Sequence, residues 1–532
     1  MNDSKISSLE IKEQIKIADE LYSNAKYKNA IDVFYPLLEA DNISMADRCK
    51  VYKKLGYSFY KLKDFDSAIC VYEQMLKFCT ADAHTYDMLG YLYFYRDNDK
   101  SIEYYLKEME LKPDIKNFVM LTQIIIKSKH YELKDIKNIF EKYVDIFRND
   151  FLKDKKPFSY DSKSYDKNKK LKIGYLSSDF HGHAMMTFVL PILEHHNKEN
   201  FDINLYDCSK KSDHVTERIK NIGYNYNNCT NMTNEEIADK IHSDNIDILV
   251  DLSGYTHKAI WSLIYKPAPV IVQYLGFLGT YGMKEVDYIL ADKFTIPENF
   301  AKYYTEKPMY IECGMNRFCF NNKDQTLPDI TPLPVLKNNY ITFGSFNCTS
   351  KLNTSTILLW SKVLNAVPNS KLLIYRTQLQ QRDTDRLIPL FNKFGISPYR
   401  VIFDNTPTEN SHFKCYDYCD IALDPTPFSG LTITIEQALM GVPVVTLNGM
   451  TISAKGAARI NNMLGQDNLI AGNEDEYIKI AKNLSRDVEK LKWYRENYRQ
   501  TVLTSKLFTD YETYVRQIEE AYEKAWADFC ES

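Results

Sequence analysis

The sequence has no hydrophobic stretch long enough to cross a membrane. A transmembrane helix needs about 18 or more consecutive apolar residues, and no apolar run in the 532 residues approaches that length. The N-terminal segment MNDSKISSLEIKEQ is polar and lacks the basic start and apolar centre of a secretory signal peptide. We therefore expect a cytoplasmic protein that does not bind membranes.

The sequence also lacks an excess of charge of either sign. Its 67 Lys and Arg residues nearly balance its 71 Asp and Glu residues, and the formal net charge is -4. Proteins that bind nucleic acid or anionic lipid usually present a basic field that attracts phosphate groups. Because the composition provides no such field, we expect neither nucleic acid nor membrane as a partner.

Cysteine motifs for metal or redox chemistry are absent as well. The 11 cysteines include no CxxC pair, and Cys415 and Cys419 have the spacing of one helix face. Such scattered cysteines are typical of mostly free thiols in a reducing compartment. Asp383 and Asp385 spell a metal-binding DxD motif, but they lie in the charged, helical stretch QQRDTDRL. We expect no metal site.

The first third of the sequence contains a repeated pattern. Gly56 and Gly90 lie 34 residues apart, and apolar and aromatic residues follow them at similar distances. A weaker copy precedes them around Ala18 and Ala30. The pattern is typical of tetratricopeptide (TPR) repeats, in which the two helices of each repeat approach closely at small residues. The two stronger copies consist of Tyr52, Leu55, Gly56, Phe59, Phe65, Ala68 and Tyr72, then Tyr86, Leu89, Gly90, Tyr93, Ser101 and Tyr105.

Repeats of this kind stack into a solenoid because each helix pair covers the apolar face of its neighbour. We expect a TPR solenoid over residues 1–150, with the helical stretches of residues 115–150 as its cap. The concave face of such a solenoid commonly holds a peptide, which points to a protein partner. The alternative is that the repeats form only a packing or dimer surface, and hence a homo-oligomer contact.

Beyond the charged linker of residues 151–170, short apolar strands alternate with helical stretches. This alternation predicts parallel sheets with crossover helices. A Pro-rich break at residues 321–339 separates two series, so we expect Rossmann-like domains at residues 171–320 and 340–505, with a closing helix at residues 506–532. Ligands of such pairs bind between the strand C-termini. The predicted strands are Lys172–Ser177, Asp202–Tyr206, Ile246–Leu252, Val270–Tyr274, Tyr288–Ala291, Ile341–Phe346, Lys371–Tyr375, Val401–Phe403, Ile421–Leu423 and Val444–Leu447.

The segment from Asp424 to Gly449 carries the clearest chemical signal. It predicts a strand end, a turn rich in Pro and Gly, a helix from about residue 431 to 440, and a second strand. The N–H groups at the start of this helix, next to Gly430, can bind a phosphate. Thr432 and Glu436 share one helix face, where a hydroxyl can bind phosphate and a carboxylate can hold ribose hydroxyls. The segment therefore predicts a nucleoside diphosphate site.

Several segments resemble the catalytic part of the protein O-GlcNAc transferase and SPINDLY families. They follow the family order: LKIGYLSSDFHGH (171–183), KPAPVIVQYLGFLGTYG (266–282), ITFGSFNCTSKLNT (341–354) and DPTPFSGLTITIE (424–436). With the repeats, the resemblance covers roughly residues 15–529. It implies a GT-B architecture of two Rossmann-like domains and inverting glycosyl transfer from a nucleotide sugar, with neither metal nor another cofactor.

The resemblance also implies roles for individual residues. Lys351 matches the lysine that neutralises the leaving diphosphate, where a fixed cation has a large effect on the rate. His412 matches a histidine beside the nucleotide. His183 matches the histidine of the active-site loop, which could contact the sugar or accept the acceptor's proton. Asp179 and Asp247 are further candidates for the base. The turn expected to line the sugar pocket contains Leu275, Gly276, Gly279 and Thr280.

The sequence departs from the O-GlcNAc transferase pattern near the phosphates. Leu431 and Ile433 replace polar residues on either side of Thr432, and Cys348 stands where the family has glutamine or asparagine. Leu278 replaces the usual proline of the sugar-site turn, and the acid at 436 is Glu, as in SPINDLY proteins. These changes leave the expected fold intact and leave two donors open.

The leading hypothesis is an O-glycosyltransferase that moves N-acetylglucosamine from UDP-N-acetylglucosamine to Ser or Thr hydroxyls of a protein, flagellin being one candidate. The alternatives are a SPINDLY-like O-fucosyltransferase that uses GDP-fucose, a repeat scaffold with a degenerate transferase part, and a sugar-nucleotide epimerase. The intact Lys351 and Glu436 argue against the scaffold. The repeats argue against the epimerase because they favour a macromolecular acceptor.

Overall fold

The computed structural model describes residues 8–409 and 411–532. Residues 1–7, the first half of the polar N-terminal segment, lie outside the described residues. The chain folds into two compact units, of which the first ends at Ile125 and the second runs from Ile126 to Ser532. Within the described part of the chain, no helix is both long enough and apolar enough to cross a bilayer.

The first unit consists of helices that pack in consecutive antiparallel pairs, as the repeat pattern predicts. A side chain at Gly56 would meet the ring of Tyr72 at 2.8 Å, and one at Gly90 would meet the ring of Tyr105 at 2.7 Å. The small residues therefore let the two helices of each repeat approach closely. The helices are α1 Ser8–Ser23, α2 Tyr27–Leu37, α3 Met45–Lys61, α4 Phe65–Met75, α5 Ala83–Tyr93, α6 Asn98–Leu111 and α7 Ile115–Ile125.

A disulfide joins Cys49 in α3 to Cys79, which follows α4. For this pair the expectation of free thiols is wrong, whereas the nine other cysteines are free. The two residues lie 30 positions apart and form no short motif. It is the packing of α3 on α4 that brings them together.

Helix α8, Leu133–Phe151, belongs to the second unit. The sequence analysis assigned residues 115–150 to the cap of the repeats, and the structure instead places α7 and α8 in different units. The buried Arg148 of α8 donates two hydrogen bonds to Glu285, from Nε to Oε1 (2.7 Å) and from Nη2 to Oε2 (3.0 Å). Phe147 packs edge-on against Trp261. Helix α8 thus packs on the first of the two α/β lobes, which contains Trp261 and Glu285.

The first catalytic lobe is a parallel seven-stranded sheet with the order β3-β2-β1-β4-β5-β6-β7. Five strands agree with the predicted ones within two or three residues, and the two missed strands, β3 and β7, are the edges. Edge strands are short and polar, so they lack the continuous apolar signature of buried parallel strands. The elements are β1 Leu171–Ser177, α9 Met186–His195, β2 Phe201–Asp207, α10 His214–Lys220, β3 Asn225–Asn228, α11 Asn234–Ser243, β4 Ile248–Asp251, β5 Val270–Gln273, β6 Tyr288–Ala291 and β7 Lys307–Tyr310.

The second catalytic lobe is a parallel six-stranded sheet with the order β10-β9-β8-β11-β12-β13. All five strands predicted here are present, and only the two-residue edge strand β13 was missed. The elements are α12 Pro334–Asn338, β8 Ile341–Ser345, α13 Thr354–Ala366, β9 Ser370–Tyr375, α14 Gln381–Lys393, β10 Val401–Asp404, β11 Ile421–Leu423, α15 Thr432–Leu439, β12 Val444–Leu447, α16 Gly456–Met463, β13 Ile470–Ala471, α17 Glu474–Leu484, α18 Val488–Thr504 and α19 Lys506–Thr509.

The last helix, α20 (Tyr511–Cys530), returns to the first lobe. Tyr514, Ile518 and Trp526 are fully buried in the core of that lobe. The hydroxyl of Tyr514 lies 2.7 Å from that of Tyr274, at the end of β5. Helix α20 therefore completes a core that begins more than 300 residues earlier.

Candidate functional site

The turn between β11 and α15 is organised by the buried carboxylate of Asp424. Its Oδ1 accepts a hydrogen bond from the backbone N–H of Gly430 (2.8 Å). Its Oδ2 accepts bonds from the hydroxyls of Ser429 (2.6 Å) and Thr446 (2.8 Å). Burial raises the pKa of Asp424 to about 6, which these hydrogen bonds oppose. The carboxylate thus fixes the turn that precedes the proposed phosphate-binding helix.

Gly430 fits this turn because it has no side chain. A Cβ at this position would lie 2.5 Å from Cγ2 of Ile433 and 3.1 Å from Oδ1 of Asn347. Helix α15 begins at Thr432, and no side chain caps it among the described residues. The first N–H groups of a helix have no partner within the helix. In this protein they therefore remain available to a ligand.

Lys351 lies beside the same turn. Its Nζ donates hydrogen bonds to the backbone oxygen of Ser429 (2.9 Å) and to Oδ1 of Asn347 (3.3 Å). It also lies 4.7 Å from the centre of the Phe428 ring. Burial lowers the pKa of Lys351 to about 8, an effect that the charge of Asp424 opposes. The structure thus places the Lys351 side chain beside the turn that leads into α15.

Glu436 and His412 meet one turn further along α15. The hydroxyl of Tyr416 donates a 2.6 Å hydrogen bond to Oε2 of Glu436, and His412 Nε2 lies 3.5 Å from Oε1. The hydrogen bond to Glu436 raises the pKa of His412. Five predicted donor-site residues are therefore brought together on one lobe: Lys351, His412, Gly430, Thr432 and Glu436. Sequence reasoning missed Asn347, Phe428 and Tyr416, although each lies within or next to a motif that it singled out.

His183 lies on the first lobe, in the loop that follows β1. Its Nδ1 accepts a hydrogen bond from the backbone N–H of Met185 at 3.3 Å. The backbone N–H of Gly182 donates to Asp213 at 2.8 Å, which anchors the loop. Because Nδ1 faces this backbone N–H, Nε2 is the nitrogen of the half-exposed ring that can meet a ligand.

The two other carboxylates considered as bases have different positions. Asp179 follows β1, and its Oδ2 lies 3.9 Å from Nδ1 of His183. Asp247 precedes β4, at the opposite end of the sheet, where it accepts hydrogen bonds from Lys169 Nζ (2.7 Å) and the backbone of Lys172 (2.9 Å). Asp247 is thus a structural carboxylate, and of the two only Asp179 shares the loop of His183.

The turn after β5 was expected to line the sugar pocket. Leu275 packs against the cores of both lobes, so it lies in the crevice between them. A side chain at Gly276 would collide with the backbone oxygen of Leu252, and one at Gly279 would lie 3.1 Å from the Phe277 ring. Both glycines therefore let the turn pack on its own lobe.

The expectation for Thr280 needs correction. Its side chain is buried and donates a 2.7 Å hydrogen bond to Oε2 of Glu306, whose pKa burial raises to about 7. The hydroxyl of Thr280 thus belongs to an internal network and does not face a sugar. The residue type at this position gave no sign of that buried partner, which lies 26 positions away.

The two aspartates of the DxD motif, Asp383 and Asp385, lie in the first turns of helix α14, where Asp383 caps the helix. Asp383 Oδ2 accepts a 2.9 Å hydrogen bond from the backbone N–H of Gln380 at the start of α14, and Asp385 accepts one from Gln381. In the described ranges 8–409 and 411–532, no three His, Cys, Asp or Glu side chains are grouped so that they could hold a metal ion.

Two parallel α/β lobes facing one crevice, preceded by TPR-like helices, have the GT-B architecture. The model of glycosyl transferase family 41 matches residues 146–339 and 332–518, and the chain belongs to this family. The resemblance to protein O-GlcNAc transferases and SPINDLY proteins, first seen in the motifs, is thereby confirmed.

Similar proteins agree with this assignment. The chain is 30% identical over 370 residues to the probable UDP-N-acetylglucosamine–peptide N-acetylglucosaminyltransferase SPINDLY of Solanum lycopersicum, which is 68% of this chain and 39% of that protein. It is 29% identical over 371 residues to the SEC protein of Arabidopsis thaliana, which is 68% of this chain and 38% of that protein. The chain therefore spans about two-fifths of the length of these relatives.

Among solved structures, a mutant of the Thermobaculum terrenum O-GlcNAc transferase matches along the chain. The TM-score is 0.76 at 24% sequence identity, and the match covers 100% of this chain and 99% of the other. At this identity the match supports the fold, including the helical repeats ahead of the two catalytic lobes.

Proposed function

We propose that the chain is an inverting protein O-glycosyltransferase, which moves a sugar from a nucleoside diphosphate to a Ser or Thr hydroxyl. The observation that carries this proposal is the position of the Lys351 ammonium beside the Ser429–Gly430 turn that leads into α15. When the glycosidic bond breaks, negative charge develops on the departing diphosphate. A fixed cation and oriented N–H groups stabilise that charge more in the transition state than in the ground state.

The remaining donor contacts follow along α15. The hydroxyl of Thr432 lies at the first residue of the helix, where it can bind a phosphate oxygen. The carboxylate of Glu436, held by Tyr416, would accept hydrogen bonds from the ribose hydroxyls, and His412 would lie beside the nucleotide. In this proposal Lys351 and the helix N-terminus replace a divalent cation, so turnover needs no metal and no cofactor besides the donor.

The first lobe would supply the opposite wall of the site. The acceptor hydroxyl would attack the sugar carbon from the face away from the diphosphate and give up its proton to a base of this loop, His183 or Asp179. This geometry inverts the configuration at the sugar carbon. The helical repeats would bind the protein acceptor, because a solenoid offers an extended surface for a peptide. We further propose that the reaction takes place in the cytoplasm.

For the donor we propose UDP-N-acetylglucosamine, the nucleotide sugar in the names of the similar plant proteins. GDP-fucose is the second candidate. It is favoured by Glu436 in place of Asp, as in SPINDLY proteins, while the apolar Leu431 and half-buried Ile433 at the phosphate turn depart from the O-GlcNAc transferase pattern. These replacements remove two polar groups that an O-GlcNAc transferase would use.

The test measures release of nucleotide from each donor by the purified chain, with and without a chelator, and the mass of proteins co-expressed with it. We expect turnover of one donor, no effect of the chelator, and a mass increase of one sugar on a Ser or Thr of the acceptor. Lys351→Met should lower kcat by about 100-fold or more, as loss of a transition-state cation does. Lys362→Met is the matched control, since that lysine is exposed and pairs with Glu474 at 3.2 Å. Turnover of neither donor, or equal turnover by Lys351→Met, would refute the proposal.

A further inference from the structure

The aromatic ring of Phe428 has two lysine ammonium groups near it. Lys351 Nζ lies 4.7 Å from the ring centre, and Lys127 Nζ lies 5.7 Å from it. The two nitrogens are therefore at most about 10 Å apart. Lys127 lies in the short connection between α7 and α8, at the start of the second compact unit. Sequence analysis assigned this connection to the repeat cap and no function to the lysine.

Backbone contacts hold Lys127 in this position. Its carbonyl oxygen accepts a 3.2 Å hydrogen bond from Nδ2 of Asn353, the residue that caps α13. The carbonyl oxygen of the preceding Ile126 accepts a 3.4 Å bond from the hydroxyl of Ser453. Since both bonds use the backbone, they would remain after any change of the Lys127 side chain. The connection is thus hydrogen-bonded to two separate segments of the second lobe, at Asn353 and at Ser453.

The charge of Lys127 is poorly compensated. Of the residues that the structure describes, none accepts a hydrogen bond from its ammonium group. Burial lowers the pKa of Lys127, with Cys348 opposing, and Lys127 in turn contributes to the lowered pKa of Lys351. Holding two like charges close together in a partly dry site costs free energy unless an anion joins them. Such clusters are typical of sites that bind an anionic ligand.

We propose that Lys127 is a second ligand of the donor diphosphate, and that the connection between α7 and α8 is part of the phosphate site. Lys351 and Lys127 would then each bind a phosphoryl oxygen, on either side of the turn that contains Phe428 and Gly430. This inference rests on the proposed function, because it assumes that the turn binds a diphosphate. It adds a residue from outside both Rossmann-like lobes to the donor site.

A different explanation is that the lysine stem merely packs on the Phe428 ring, as long side chains often do. The two explanations differ in the effect of Lys127→Met, which keeps the length and apolar stem and removes the charge. If the lysine only packs, the substitution lowers stability or leaves all binding unchanged. If it binds phosphate, the substitution weakens anion binding without lowering the melting temperature, because an uncompensated charge disappears.

The experiment uses inorganic pyrophosphate, titrated calorimetrically into the full chain and into Lys127→Met, Lys127→Arg and Lys129→Met. Lys129 is the matched control because it is exposed, lies two residues further on, and pairs with Glu474 at 2.8 Å. We expect Lys127→Met to bind pyrophosphate about tenfold more weakly or worse, which corresponds to about 1.4 kcal/mol. Lys127→Arg should recover most of the affinity, and Lys129→Met should match the unaltered chain.

Two results would overturn the inference. One is equal affinity of Lys127→Met and the unaltered chain for pyrophosphate, which includes the case that neither binds it. The other is a lower melting temperature of Lys127→Met without ligand, which would make the lysine a packing residue. Pyrophosphate carries no sugar or base, so normal binding by the unaltered chain together with no sugar transfer would count against the proposed function alone.

Discussion

Raising the pH should deprotonate the Lys351 ammonium group in a range where ordinary lysines stay charged. With a pKa of about 8 in the free protein, the side chain is about 90% protonated at pH 7 and about 1% protonated at pH 10. If only the ammonium form supports departure of the diphosphate, kcat/KM for the donor falls about tenfold per pH unit above pH 8. Because bound diphosphate favours the charged form of Lys351, kcat should begin to fall only at a higher pH than kcat/KM does.

The assay is the initial rate of nucleotide release from pH 6 to 10, at low and at saturating donor concentration. Deprotonation of Lys351 does not destabilise the fold, so the expected loss of activity at high pH is not caused by unfolding. The pKa of Lys351 is lower in the folded chain than the value of about 10.4 in an unfolded one. The unfolded state then binds more protons between pH 8 and 10, and the contribution of Lys351 to stability rises with pH in that window.

Lys351→Arg provides the matched comparison, because a guanidinium stays charged throughout this range. Its residual activity should be lower than that of the unaltered chain and should lack the decline above pH 8. A kcat/KM that is constant from pH 7 to 10 would refute the assignment of the cation to Lys351. So would the same decline in Lys351→Arg.

Two further changes test the site and the fold. Gly430→Ala puts a methyl group 2.5 Å from Ile433, so we expect turnover to fall at least about tenfold and the free energy of unfolding to fall by about 1–3 kcal/mol. The control is Gly472→Ala, whose new carbon would meet only the Glu476 carboxylate at 3.2 Å and which should change neither quantity. Normal turnover by Gly430→Ala would show that the turn is not near the reaction. Glu285→Gln removes the negative charge that compensates the buried guanidinium of Arg148, so urea unfolding should show a loss of about 3 kcal/mol. A loss below about 1 kcal/mol would mean that α8 is not held by this pair.

The sequence predicted the buried strands of both lobes because parallel strands covered on both faces are continuous apolar runs. It did not predict β3, β7 or β13, whose edge positions remove that pattern. Four of the five predicted donor-site residues, Lys351, Gly430, Thr432 and Glu436, could be singled out because they occur in short motifs directly after β8 and β11, whereas His412 precedes β11. The role of Thr280 could not be predicted, since its partner Glu306 and the fold that buries both are distant in sequence.

Two other features depend on contacts between distant segments. Lys127 lies in a stretch whose helical periodicity matches the repeats, and only the folded chain shows its ammonium beside Phe428. The disulfide between Cys49 and Cys79 likewise joins residues with no common motif. In both cases the local sequence pattern indicated a helical region and could not indicate which distant residues pack against it.

The return of α20 to the first lobe sets an order for folding during synthesis. The second lobe has most of its core once the ribosome has made residues up to about Leu507, whereas the first lobe, although made earlier, still lacks Tyr514, Ile518 and Trp526. Until those residues emerge, apolar surface on β1 and β5 stays exposed to water. Such long-range closure slows folding and prolongs the time in which chains can associate wrongly. The lobe that is translated first is thus the one that matures last.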